Sequence, residues 1–178
     1  MNIPAGLTDN NLEVFLHNNQ VKALQNGNTV NYTHLPMVMR KPFQDDLLSD
    51  IKAMECLKLV FGLKTMTEQE VQFVACRYGA LDHTADYDGE TLKTDAPVCK
   101  KIASCKGFGV VCKVPGHLSR SEYRVTQMVS NGLQDIEIAD SLNIRISTVR
   151  THLSRIRDKI GVNNRIEVSR WAQDKGIV

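Results

Sequence analysis

The chain has 178 residues and a formal net charge of +2 at pH 7. So small a charge excludes a nonspecific polycation, and no stretch approaches the ~18 consecutive apolar residues of a membrane-spanning helix. The N-terminal sequence MNIPAGLTDNN lacks the basic and apolar regions of a secretory signal. We therefore expect a cytoplasmic protein of one or two domains.

The first 114 residues predict a mainly α-helical module. One helix is expected after Thr8-Asp9, because three apolar residues follow at helical spacing: Leu12, Phe15 and Leu16. A second is expected after Asp45-Asp46, since acids suit a helix N-terminus, and Gly62 ends it. Its predicted core stripe consists of Leu47, Leu48, Ile51, Met54, Leu57 and Phe61.

A third helix is expected to open at Thr67, where Thr67 and Glu70 have the spacing of a capping box. Its inward residues are Val71, Val74, Ala75 and Tyr78, and Gly79 stops it. From Ala80 to Lys113 the sequence is polar and irregular, which predicts a loop or a short hairpin.

All five cysteines lie in this first part of the chain. Cys56 falls on the apolar face of its expected helix, where it would be a small buried hydrophobe. The other four form a candidate metal set: Cys76, Cys99, Cys105 and Cys112. Four thiolates in a tetrahedral site would bind zinc and help a small module to fold. Because no C-x2-C pair is present, unligated cysteines and an iron–sulfur or thiol redox sensor stay open as alternatives.

A break at Val114-Pro115-Gly116-His117 separates two predicted domains, 1–114 and 117–178, because proline and glycine interrupt regular structure. The second opens with a helix capped by Ser119, which has Glu122 as its capping-box partner and Leu118 as a hydrophobic staple. Asn131-Gly132 is a signal for the end of this helix.

Two further helices are predicted around a connection of about four residues, 143–146, the length found in a helix-turn-helix motif. The first has a short apolar edge that consists of Ile138, Ala139 and Leu142. The second is expected to begin at Ser147-Thr148, which are good N-cap residues. A last helix is predicted over about 165–175.

The helix that starts near Ser147 has two contrasting faces. Its apolar stripe contains Val149, Leu153, Ile156 and Ile160, at the spacing of a helix packed on a core. The opposite face holds Arg150, Thr151, Ser154 and Arg155. Residues 145–157 contain four arginines and no acid. A local basic face of this kind is typical of a DNA-binding module.

Residues 117–178 resemble the C-terminal DNA-binding domain of LuxR/NarL-type (GerE-like) transcription regulators, a four-helix helix-turn-helix fold. The resemblance is carried by Glu137-Ile138-Ala139 with Leu142, by STVRTH at 147–152, by KIGV at 159–162 and by Arg165. The sequence departs from the family at Ser121 and Ile136, where basic residues are common. The predicted fold class is therefore mainly α, with this domain behind a helical module that bears an irregular cysteine segment.

The resemblance implies that double-stranded DNA is the partner and that the helix from Ser147 is the recognition helix. Base-contacting positions fall on Arg150, Thr151 and Ser154. Phosphate contacts are expected from Ser147, Thr148, Arg155, Arg157 and Arg165. The helix from Arg165 would dimerise, through Ile166, Ser169 and Ala172.

The N-terminal module does not fit the usual companions of this domain. No run of buried β-branched residues precedes Asp45-Asp46, which argues against a phosphoacceptor receiver. The single tryptophan, Trp171, lies outside the module, which argues against an autoinducer sensor. The module is similar to short cysteine-containing LuxR-type regulators, with the stretch CRYGALD at 76–82 before three cysteines.

Two functions follow from the sequence. The first is a sequence-specific transcription regulator, dimeric on an inverted repeat, whose N-terminal module senses a signal or binds a protein partner. The second is an adaptor whose C-terminal helices serve dimerisation or weak DNA contact. An enzyme is not expected, because the sequence has no nucleophile elbow, phosphate loop or metallohydrolase helix.

Overall fold

The computed structural model describes residues 3–177, which contain one three-stranded antiparallel sheet and seven α-helices. The strands are β1 Glu13–His17, β2 Gln20–Gln25 and β3 Asn28–Asn31. The helices are α1 Met37–Ser49, α2 Ile51–Glu55, α3 Met66–Arg77, α4 Arg120–Ser130, α5 Asp135–Leu142, α6 Ile146–Ile160 and α7 Arg165–Asp174. The mainly α fold class is confirmed. None of the helices in the described part of the chain is both long and apolar enough to cross a membrane.

The chain forms two compact units. The N-terminal unit contains the residues up to Pro97 together with Val110–Lys113. The C-terminal unit contains Val98–Gly109 together with the residues from Val114 onward. The segment Val98–Gly109 therefore packs with the C-terminal helices, although it precedes the break at Val114.

The helix predicted after Thr8-Asp9 is wrong, because these residues lead into a β-hairpin. β1 pairs with β2, and Leu16 lies opposite Val21. Asn18 and Asn19 form the connection, with φ angles of 49° and 60°. Asparagine tolerates this left-handed conformation better than most residues, and two such residues in sequence match the twist of a tight hairpin. This turn outweighs the helical spacing of the apolar residues.

The second predicted helix exists but starts earlier and is interrupted. α1 begins at Met37, directly after Pro36, so Asp45 and Asp46 lie near its C-terminal end. The helix breaks at Asp50, whose side chain caps α2 by accepting a hydrogen bond from the Ala53 amide. A π-helical turn over Cys56–Val60 follows. The predicted stripe is therefore only partly correct, with Leu47 and Leu57 buried but Leu48 and Ile51 exposed.

The third predicted helix is present, but its capping box is formed by Thr65 and Glu68 rather than by Thr67 and Glu70. The Glu70 side chain instead accepts hydrogen bonds from Tyr32, Arg40 and Gln44. Residues 80–113 are irregular, as predicted, with isolated bridges from Tyr87 to Leu12 and Leu92. The expected burial of Cys56 is confirmed.

A fully buried arginine organises the helices of the N-terminal unit. The Arg77 guanidinium contacts Asp46 at 3.1 Å and Asp50 at 2.7 Å, and its Nε donates to the carbonyl of Val111 at 3.0 Å. It also lies over the Phe73 ring, 4.2 Å from the centroid. Since a buried charge is tolerated only when it is paired and hydrogen-bonded, these contacts fix α1, α2 and the chain at Val111 around the end of α3.

The same unit buries an acidic cluster. Glu13 accepts a hydrogen bond from the Asp82 amide at 2.8 Å, and Asp86 accepts one from the Val14 amide at 2.6 Å. The second carboxyl oxygen of Glu13 and of Asp86 is buried and has no hydrogen-bond partner within the described residues. Burial raises the pKa of Glu13 to about 8, and the Asp82 and Asp95 carboxylates add to the rise. Burial and the same neighbouring charges raise the pKa of Asp86 as well. Both groups are therefore held as neutral acids at pH 7.

This arrangement predicts that the N-terminal unit loses stability as the pH rises from about 4.5 to about 8, because over this range the unfolded chain releases the Glu13 proton while the folded state retains it. Glu13→Gln, which stays neutral, should reduce the loss between pH 6 and pH 9 by on the order of 2 kcal/mol. Thermal melts at the two pH values measure the difference, with the exposed Glu55→Gln as a matched control. A Glu13→Gln protein with the same pH dependence as wild type would contradict the assignment.

Candidate nucleic-acid interface

The C-terminal unit begins with a capped helix, as predicted. Ser119 Oγ accepts from the Glu122 amide, and Glu122 Oε2 accepts from the Ser119 amide at 2.7 Å. Leu118 is buried beside this box. Just before it, Gly116 has a φ of 65°, and a Cβ at this position would lie 2.7 Å from Ile160 and 3.0 Å from Trp171. Only glycine fits this approach of the chain to α6 and α7.

Two elements of the predicted helix-turn-helix motif, α5 and α6, follow as the sequence indicates. α5 buries Ile138 and Ala139 and ends at Asn143 in the left-handed conformation. α6 buries Val149 and Ile156 completely. Because these residues share one face of a 15-residue helix, the side chains on the opposite face must be exposed.

The predicted N-cap of α6 is wrong. The helix starts at Ile146, and Arg145 occupies the cap position without a side-chain hydrogen bond. The Arg145 carbonyl accepts from the amides of Thr148 and Val149. Ser147 is therefore exposed within the first turn, where its carbonyl accepts from Thr151 Oγ1 at 3.0 Å.

The exposed face of α6 contains the residues predicted to contact bases. The Arg150 side chain is 75% exposed, and Thr151 and Ser154 are also exposed. Among the predicted phosphate contacts, Ser147 and Arg155 are exposed, whereas Thr148, Arg157 and Arg165 are half-buried. The exposed residues form one surface on α6, which consists of Ser147, Arg150, Thr151, Ser154 and Arg155. Contact of this surface with DNA stays a prediction.

Asp135 is a residue of this surface that sequence reasoning missed. One of its carboxyl oxygens lies 3.7 Å from Arg150 Nε, and the other lies 2.6 Å from a terminal nitrogen of Arg165. Arg165 also donates to the Leu133 carbonyl. Asp135 therefore links the start of α5 to α6 and to α7. The sequence could have indicated Asp135 as an acid in the first turn of a helix. Its partners could not be predicted, because they depend on how the helices pack.

A second ion pair fixes the other end of α6. Lys159 Nζ lies 2.6 Å from Glu122 Oε2 and also donates to the His117 carbonyl at 3.2 Å. Burial alone would raise the pKa of Glu122, but the Lys159 ammonium and the Ser119 hydrogen bonds hold it below its ordinary value. The C-terminal end of α6 is thus joined to the first turn of α4.

The three residues predicted for dimerisation differ in how far their side chains are exposed. Ile166 is 71% exposed on α7, and Ser169 is half-buried. Ala172 is fully buried in the core of the unit, so its side chain is not part of a surface. Ile166 and Ser169 line a shallow depression beside Gly132 and Arg170.

The cysteines proposed as metal ligands are divided between the units. Cys76 and Cys112 belong to the N-terminal unit, and Cys99 and Cys105 to the C-terminal unit. Over residues 3–177, no three His, Cys, Asp or Glu side chains are arranged to hold a metal ion. The four-cysteine zinc site stays a prediction.

Four short helices with an exposed basic face on the third define a helix-turn-helix domain. Residues 116–172 match the GerE family model of bacterial regulatory proteins, the luxR family. The transcriptional regulatory protein DesR of Bacillus subtilis (strain 168) is 39% identical over 59 residues, which are 33% of this chain and 30% of DesR. The similarity thus spans less than a third of that relative. Residues 116–172 are a LuxR-family helix-turn-helix domain, which confirms the resemblance seen in the motifs.

Loss of the Asp135 carboxylate should destabilise this domain by about 1 kcal/mol, since Arg165 loses a charged partner and α5 loses an acid from its first turn. Asp135→Asn is compared with Asp140→Asn, which removes the same charge from an exposed position on α5. Urea unfolding should show the larger shift for Asp135→Asn. Equal shifts for the two variants would show that the contacts of Asp135 contribute nothing beyond its charge.

Proposed function

We propose that the protein is a sequence-specific DNA-binding transcription regulator that acts as a dimer on an inverted repeat. The observation that carries the proposal is the exposed face of α6. Its side chains are polar or basic over residues 147–155, while its apolar side chains pack inward. The domain's similarity to luxR-family regulatory proteins supports the same function.

In this proposal α6 lies in the major groove and reads bases through Arg150. The guanidinium of Arg150 is exposed, and only its Nε faces Asp135, so the terminal nitrogens are available to donate to guanine O6 and N7. Thr151 can contact a thymine methyl group or a single acceptor. Ser154 is small, so direct readout rests mainly on Arg150.

Phosphate contacts would position the helix without reading sequence. Ser147 and Thr148 lie in the first turn of α6, and Arg155 and Arg157 lie further along it. Arg165 is already paired with Asp135 and donates to the Leu133 carbonyl. A phosphate would therefore have to share the Arg165 guanidinium with Asp135 or displace that carboxylate.

A dimer would form through the outer face of α7, where Ile166 is exposed and apolar. A second copy that covers Ile166 and Ser169 places two α6 helices on one duplex. Half-sites about one helical turn apart or closer would then be preferred.

The adaptor function is a second candidate, because the N-terminal unit exposes several large apolar side chains around α1 and α2. These residues are Met37, Val38, Leu48, Ile51, Leu59 and Val60. Exposed apolar side chains can serve as contacts for a protein partner where they lie side by side. A regulator whose N-terminal unit senses a signal or binds a protein is compatible with the same observation.

Arg150→Ala should weaken binding to a duplex obtained by selection from random sequences by about 1–3 kcal/mol and relax the preference at one base pair. Arg157→Ala should weaken all duplexes alike and lower the salt slope by about one. Lys175→Ala removes one charge from an exposed position outside α6 and is the matched control.

Fluorescence anisotropy with the selected and a scrambled duplex measures all three variants. Equal effects of Arg150→Ala on both duplexes would contradict specific readout and favour the adaptor.

A further inference from the structure

The segment Val98–Gly109, here called the lysine arm, belongs to the C-terminal unit although it precedes the helix-turn-helix domain. It is packed against α4. Arg120 donates a hydrogen bond to the carbonyl of Cys105, and its guanidinium lies over the Phe108 ring, 5.6 Å from the centroid. Phe108 also meets Tyr123 edge to face, with ring centroids 5.6 Å apart. The arm is therefore a fixed part of the unit.

The arm presents three lysines and no acid. Its apolar anchor Ile102 is only 5% exposed, while Lys100, Lys101 and Lys106 are all exposed. None of the three takes part in an ion pair within residues 3–177. Each ammonium is thus available to an external anion.

The arm also changes the balance of charge between the two units. With it, the C-terminal unit has thirteen lysines and arginines against seven acids, a net charge of +6. The N-terminal unit has nine against thirteen, a net charge of −4. The basic residues are therefore concentrated on the unit that holds α6, which is the distribution expected where the ligand is a polyanion.

The position of the arm fits a duplex bound by α6. Lys159 joins the C-terminal end of α6 to the first turn of α4, and Arg120 and Tyr123 of α4 hold the arm. In helix-turn-helix complexes the N-terminal residues of the recognition helix reach the bases. α6 is about 22 Å long, so in such a complex we expect its C-terminal end to lie away from the bases and toward the phosphate backbone. The arm is attached to α4, which Lys159 joins to that end of α6.

We propose that the lysine arm is a second DNA-contacting surface, in which Lys100, Lys101 and Lys106 bind backbone phosphates that flank the half-site read by α6. The proposal rests on the proposed function and extends it. Phosphate contacts of this kind add affinity for every sequence and add nothing to base preference. The arm therefore strengthens binding by a domain in which Arg150 is the main base-reading side chain.

The test replaces the three arm lysines by glutamine in the full chain, as Lys100→Gln, Lys101→Gln and Lys106→Gln together. The control makes the same change of charge on the N-terminal unit, at the exposed Lys52, Lys58 and Lys64. A third variant carries arginine at the three arm positions. Fluorescence anisotropy with the selected and the scrambled duplex is measured over a series of salt concentrations, and thermal melts check that all variants are folded.

The arm variant should bind both duplexes roughly tenfold more weakly at 0.1 M salt, and its salt slope should fall by two to three, because each phosphate contact contributes about 0.9. The arginine variant should keep the wild-type slope, and the control should change little. An arm variant with the wild-type slope, or one that matches the control, would overturn the proposal. Wild-type protein without preference between the duplexes would instead refute the proposed function, and the arm would still be judged by its slope.

Discussion

The inward packing of Val149 and Ile156 is the constraint on which the C-terminal unit depends. Because a helix places residues about 100° apart, burying these two side chains against the neighbouring helices turns Arg150, Thr151 and Ser154 to the outside. The ion pair of Lys159 with Glu122 then fixes the far end of α6. The exposed polar face is thus a consequence of core packing.

The two compact units also differ in the sign of their net charge. The C-terminal unit is basic and carries the helix-turn-helix domain, while the N-terminal unit has a net negative charge and buries several ionisable side chains. Arg77 is paired with Asp46 and Asp50, and Glu13 is kept neutral by burial. These buried groups of the first unit serve the fold, whereas Arg150 and the arm lysines of the second unit have exposed side chains.

Sequence reasoning located all four helices of the C-terminal unit, because strong local signals such as the Ser119 capping box agree there with the apolar periodicity. It failed at the hairpin, where Leu12, Phe15 and Leu16 have helical spacing but Asn18-Asn19 forms a turn. It also missed Asp135, since the partners of this residue are distant in sequence and are set by helix packing. Local patterns predicted the elements, and long-range contacts required the structure.

The most direct measurement of the central claim is amide hydrogen exchange by mass spectrometry, on the full chain with and without the duplex selected from random sequences. We expect new protection in peptides from residues 145–157 and, more weakly, in the lysine arm, with little change across α1 to α3. Protection confined to the N-terminal unit, with α6 unchanged by the duplex, would show that α6 does not bind DNA.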